Sequence, residues 1–172
     1  MSQIKLKVTD IQQLTANIKL FEFTSTDGER LPTWEAGSHI DFQIGDHIRR
    51  SYSLANAPGD TERYVTAILR EADGGGGSKY MHDEVSLGDE LFITEPPTNL
   101  FPLDETAKSH LLLGGGIGIT PLLSMGYRLR ELGADFHLHY CTKFKDETAF
   151  YNELVEIFGN DGVTFYHDGG DP

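Results

Sequence analysis

Two stretches of this chain combine residue types that could do chemistry. Arg50-Ser51-Tyr52-Ser53 places a permanent cation, an aromatic ring and hydroxyls side by side. The planar arginine fork suits a phosphate. The tyrosine ring can stack on a flat heterocycle, and a serine hydroxyl can donate to or accept from a ring nitrogen as its protonation changes. Further along, Gly114-Gly115-Gly116-Ile117-Gly118-Ile119-Thr120-Pro121 forms a glycine-rich turn between an apolar run and a helical pattern. That is the setting in which backbone N–H groups cradle a pyrophosphate. The first stretch suits a flavin and the second a nucleotide. Their order makes redox chemistry the leading reading.

Each element also has a plainer reading. On a strand, Arg50 and Tyr52 share one face and Ser51 and Ser53 the other. Ser53 therefore reaches the ring only if the strand bends, and the four residues also fit an ordinary half-exposed strand. Gly74 to Gly77 lead into Ser78, the expected cap of a short helix reaching Glu84. Such a helix start exposes N–H groups to an anion, and a glycine run is equally a linker. Gly116 and Gly118 allow close backbone approach to a pyrophosphate, with Thr120 read as N-cap and Pro121 as the first helical residue. Pro121 takes the place of the third fingerprint glycine, and no Lys-Ser or Lys-Thr pair makes a P-loop.

These residues need elements to hold them. Residues 1–102 read as short strands between turns: Ile4 to Val8, Ile18 to Phe23, Ile40 to Ile44 before a Gly45-Asp46 turn, Arg49 to Ala55, Tyr64 to Arg70 and Glu90 to Thr94. An all-β antiparallel Greek-key barrel is expected there. From residue 108 the rhythm becomes strand, helix, strand, helix, strand, which predicts an α/β domain with a parallel sheet over 108–172. Leu122, Met125, Leu129 and Leu132 mark the first helix, stopped at Gly133, and Phe150, Leu154 and Ile157 the second, stopped at Gly159. Pro96, Pro97 and Pro102 stiffen the seam between the halves. Three strands with two crossovers are half of a doubly wound sheet, so the α/β domain is expected to be truncated.

Composition narrows the function classes. Twenty-seven acidic against 14 basic residues give a net charge of −13, which disfavours nucleic acid. No apolar run approaches the roughly 20 residues of a membrane span, and the N-terminus lacks a signal-peptide core. A cytoplasmic monomer is expected. Cys141, the single cysteine, excludes a disulfide framework or an iron–sulfur cluster within these residues, and its strand neighbours predict a buried, inert thiol. His137 and His139 share a strand face without a third ligand, and His39, His47, His82, His110 and His167 are scattered, so no metal site is expected.

Arg50 to Leu54, Gly76-Gly77-Ser78, Pro97 to Leu103 and Gly114 to Pro121 follow one another as in the ferredoxin–NADP reductase superfamily. Within it, the chain most resembles the phthalate dioxygenase reductase and vanillate demethylase reductase group, over essentially its whole length. The resemblance implies that Arg50 meets the flavin phosphate, Ser51 and Tyr52 line the flavin, and Ser53 and Thr120 lie at the reacting ring. It further implies that Ala67, Ile68 and Leu69 present backbone to the ring, with Leu69 standing where some relatives have Lys. Gly76, Gly77 and Ser78 match a second phosphate clamp, Gly116, Gly118 and Thr120 the pyrophosphate turn, and Thr142 and Lys143 the adenosine ribose. The implied cofactor is FMN in preference to FAD, with NADH as co-substrate. The relatives' Cys-Gly-Pro segment and their 2Fe-2S domain, which needs four cysteines, are absent here, so the natural chain is expected to continue beyond Pro172. The implied activity is a reductase passing electrons from NADH through flavin to an iron–sulfur centre of a terminal oxygenase component or its ferredoxin, in an aromatic-ring oxygenase or demethylase system. A flavin-binding module or a nucleotide-sensing subunit without turnover is the alternative.

Overall fold

Alternating burial organises the first half. The computed structural model describes residues 3–45, 48–94 and 96–169. Asp46 of the expected turn, His47 and the last three residues of the acidic ending lie outside them. Strands β1 (Ile4–Thr15), β2 (Ile18–Ser25), β3 (His39–Ile44), β4 (Ile48–Ser53), β5 (Tyr64–Leu69) and β6 (Glu90–Ile93) form one antiparallel sheet, ordered β4-β3-β6-β1-β2-β5. In β3 every second residue is buried, so Ile40, Phe42 and Ile44 point inward. They join Leu6, Val8, Phe21, Phe23, Tyr64, Ile68 and Ile93 in one core. By pairing with both β1 and β3, β6 makes the long return that distinguishes a Greek key from a meander.

The sheet curls until Leu54, just past β4, bridges Thr66 of β5, and the Ala55 N–H donates to the Val65 carbonyl at 2.8 Å. Among the described residues this is the only bridge between those two strands. The barrel is thus closed at one end of the seam and split at the other, toward Arg50 and Leu69. Strand β1 outruns the expected Ile4 to Val8 because register shifts between Val8 and Asp10 and between Gln13 and Thr15 move the inward face and hide the alternation.

Helix α1 (Gly77–Asp83) starts one residue earlier than Ser78. Its cap is Gly76 at φ 85, a left-handed conformation that glycine takes without strain. The Ser78 hydroxyl instead accepts the Glu71 N–H at 3.2 Å.

The second half holds β7 (Ser109–Gly115), α2 (Ile119–Leu132), β8 (Asp135–Thr142), α3 (Tyr151–Phe158) and β9 (Val163–His167), with a parallel sheet ordered β7-β8-β9. A 3₁₀ turn, Gly116–Gly118, runs straight into α2, so Thr120 and Pro121 lie inside the first helical turn and Gly118 takes the cap position assigned to Thr120. Phe150 stands just outside α3, as its cap, at φ 61. Both helices stop as expected, at Gly133 and Gly159.

Leu112, Leu138 and Tyr140 pack with Leu122, Leu129, Leu154 and Ile157 on one face of this sheet. The opposite face is bare: Leu111 and Leu113 are 71% and 72% exposed. Cys141 shares that face and is partly exposed, which corrects the expected buried thiol. The two halves are nevertheless welded. Ile18, Ala36, Ala55 and Ala67 of the barrel belong to the same apolar cluster as Ile119, Leu122 and Leu123. Gly37 is required at this junction, because a Cβ there would stand 1.9 Å from the Phe101 carbonyl oxygen.

Candidate functional site

The split in the barrel is where the sequence-predicted residues converge. Arg50 and Tyr52 stand opposite Phe42 and Ile40 in the β3–β4 ladder, so their side chains enter from the inward face at the unclosed seam. Tyr52 packs against Phe42 with ring centroids 6.1 Å apart. Its hydroxyl is buried and has no hydrogen-bond partner among the described residues. Burial pushes this phenol up to about 12, with Arg50 pulling the other way. A buried hydroxyl without a partner costs roughly 1–3 kcal/mol, which a ligand offering a partner would recover.

Arg50 lies along the glycine loop. Its Nη2 donates to the Gly75 carbonyl at 3.1 Å and its Nη1 to its neighbour Arg49's carbonyl at 2.8 Å. A Cβ on Gly75 would come within 2.3 Å of Nη2, and one on Gly77 within 2.5 Å of the arginine Cγ. The glycines therefore form a cradle that side chains would fill. Ala67, Ile68 and Leu69 make the facing wall, and with Ser51, Glu71, Ser78 and Ile117 they enclose a slot of about 230 Å³. An aromatic wall, an unpartnered phenol and a cradled arginine fit a flat ring with a phosphate tail.

Some expected residues stand elsewhere. The Ser51 hydroxyl turns outward and donates to Asp41, which also accepts from Arg49 at 2.6 Å. Burial pulls the Asp41 carboxyl up, but Ser51 and Arg49 outweigh it and hold it below the usual range. Ser53 sits at the end of β4 opposite His39 and does not line the slot. Thr120 is buried, its hydroxyl donating to the Ile117 carbonyl at 3.1 Å. Gly76 is the α1 cap between the two cradle glycines.

A second cavity of about 510 Å³ lies across a shared wall. Leu69 and Ile117 line both spaces. The second is completed by Thr15 to Ile18, Gly115, Gly116, Cys141, Thr142, Lys143, Glu147 and Asp168. It opens at the carboxyl ends of β7 and β8, the edge where open α/β sheets receive ligands. Lys143 holds its ammonium 5.3 Å from the Phe144 ring centroid. The Thr142 hydroxyl is occupied by the Phe144 carbonyl, Thr148 and His167. Gly118 is exposed at the end of the turn.

A larger cavity, about 680 Å³, is flanked by Glu35, Asp104, Glu105 and Glu131. Its one cation, Arg128, is paired with Glu105 and Glu131, so an anionic ligand would meet no free cation in its lining. No group of three or more His, Cys, Asp or Glu is arranged to hold a metal among the described residues. No helix there is long and apolar enough to cross a membrane.

A family model described as an oxidoreductase FAD-binding domain matches residues 5–101, more than half of the chain. The chain belongs to this family. The phthalate dioxygenase reductase of Burkholderia cepacia is 41% identical over 98% of this chain and 52% of its own length. A tert-butanol monooxygenase / tert-amyl alcohol desaturase reductase subunit from Aquincola tertiaricarbonis is 41% identical over 98% of this chain and 50% of its own. Among solved structures, a phthalate dioxygenase reductase superposes with a TM-score of 0.93 at 40% identity, covering 99% of this chain and 53% of that one. The chain spans about half the length of the curated relatives it matches. The FAD-binding domain therefore accounts for the barrel, and the reductase resemblance read from the motifs holds.

Sequence reasoning missed several wall residues. Ile117 was legible, since it stands between two glycines of the turn. Thr15 to Ile18 carried no signal, because only the packing of the β1–β2 turn against the second half brings them to the cavity.

Proposed function

We propose that the chain binds FMN in the barrel slot, receives hydride from NADH in the neighbouring cavity, and belongs to the reductase component of an aromatic-ring oxygenase or demethylase system. When bound, the flavin supplies a hydride acceptor that can release electrons singly to an iron–sulfur centre. The observation that carries the reading is the shared wall: the slot and the strand-end cavity meet at Leu69 and Ile117. Hydride transfer needs the two rings held about 3–3.5 Å apart, and the adjoining of the two spaces at Leu69 and Ile117 supports such an approach.

The residues act by holding and orienting. Arg50, kept in place by Gly75 and Gly77, takes the terminal phosphate. Tyr52 packs on the ring system and offers its unpartnered hydroxyl, and Ala67 to Leu69 present the edge of β5. The 114–121 turn meets the pyrophosphate of the nucleotide, with Lys143 at its far end near the adenosine ribose. Ser53 and Thr120 are proposed to lie near the reacting ring through backbone placement, since the Thr120 hydroxyl is already engaged. A terminal oxygenase or its ferredoxin is the proposed electron acceptor.

Releasing the flavin from purified protein and identifying it by chromatography tests the first step. FMN is expected. FAD would shift the assignment of the phosphate site, and a colourless protein that takes up neither flavin would overturn the reading.

A further inference from the structure

The glycine turn is pinned from beneath by hydroxyls. Tyr140, wholly buried on β8, donates its hydroxyl to the Gly116 carbonyl at 3.1 Å. Thr120 donates to the next carbonyl, that of Ile117, at 3.1 Å. Burial pushes the Tyr140 phenol up, against the pull of the Ala149 backbone N–H, so the group stays neutral and keeps the proton it donates. Among the described residues, the outer side of the turn is open at its glycines. A Cβ placed on Gly115, Gly116 or Gly118 would meet no atom within 4 Å. Gly116 adopts φ 50, and a stretch this rich in glycine has much conformational freedom to lose on ordering. Tyr140 lines neither cavity. Its hydroxyl reaches the site only through the turn.

We propose that Tyr140 is a positioning residue for nucleotide binding. Its hydroxyl fixes the Gly116 turn in the form that a pyrophosphate meets. This rests on reading the strand-end cavity as the nucleotide site. A strand hydroxyl bonded to a loop carbonyl lowers the ordering cost that the ligand would otherwise bear, so the effect falls on affinity for the pyrophosphate and not on the flavin slot.

The test uses the 172-residue chain and ADP-ribose, which carries the pyrophosphate without the nicotinamide. Tyr140→Phe keeps the ring and its approach to Phe165, with centroids 6.2 Å apart, and removes only the hydroxyl. Calorimetric titration is expected to show ADP-ribose affinity reduced about three- to tenfold, the worth of one neutral hydrogen bond, with flavin affinity within about twofold of wild type. Thr120→Val removes the second pin and should weaken ADP-ribose by a similar factor, which keeps the proposal testable should one variant fold poorly. Unchanged ADP-ribose affinity in a folded Tyr140→Phe protein, or equal losses for flavin and ADP-ribose, would overturn the positioning role. A wild-type chain that takes up flavin but not ADP-ribose would overturn the nucleotide-site reading itself, and this inference with it.

Discussion

Gly77→Ala should change the stability of the apo protein by less than about 1 kcal/mol and weaken the proposed flavin site. Gly77 opens α1 at an ordinary negative φ, so alanine is compatible with the backbone. Such replacements stabilise by about 0.4–1 kcal/mol, through the lost entropy of the unfolded chain. The new methyl, however, would stand 2.5 Å from the Arg50 Cγ and 3.1 Å from its Nε. The arginine stem must swing aside, and the fork then leaves the Gly75 carbonyl. A charge-assisted contact to a phosphate is worth roughly 1.5–3 kcal/mol, so full displacement weakens flavin binding by about ten- to 150-fold, since 1.4 kcal/mol is a factor of ten. Arg50→Ala should give the same loss, and Arg50→Lys should recover only part of it, because the fork is gone. The double variant Gly77→Ala/Arg50→Ala should bind flavin no worse than Arg50→Ala alone, since the two changes act on one contact. Thermal unfolding of the apo protein and flavin fluorescence titration read the two effects separately. Additive losses in the double variant, or wild-type flavin affinity in Gly77→Ala and Arg50→Ala alike, would refute the cradle.

Three further outcomes follow from the same geometry. Tyr52→Phe removes a buried hydroxyl that has no partner among the described residues, so the apo protein should gain up to about 1 kcal/mol while flavin affinity falls; equal loss of apo stability and affinity would argue that the phenol is already paired in the free protein. Burial, helped by Lys19 and Arg70, holds His82 below its ordinary value of 6.5 while its Nε2 lies 2.7 Å from the Ile68 carbonyl. The unfolded chain therefore takes up the proton first, and the stability this group supplies is complete above pH about 6.5 and lost as pH falls through the lower folded value; unfolding midpoints between pH 5 and 8 should show that loss, and His82→Gln should flatten it. On the bare sheet face, Leu111→Glu and Leu113→Lys should change stability by no more than about 0.5 kcal/mol and reduce light scattering at high concentration, because each parent side chain is over 70% exposed.

Local patterns decided much of this protein. Period-two burial in β3, the switch to helical spacing at Leu122, the stops at Gly133 and Gly159, and the order of the Arg50 and Gly114 motifs could all be read along the chain, because each depends on neighbours a few residues away. What the sequence left open depended on partners far off in the chain. Which face of β4 turns inward was settled by its pairing with β3, which set the Tyr52 ring against Phe42 and the Ser51 hydroxyl on Asp41. The slot exists because, among the described residues, β4 and β5 are joined only near Leu54 and Thr66, a consequence of sheet curvature that no single strand encodes. Tyr140, one apolar-looking strand residue among several, became a support for the glycine turn only once β8 lay parallel beside β7. Register, closure and the meeting of the two cavities are long-range pairings, and each is fixed by tertiary packing after local propensity has made the elements.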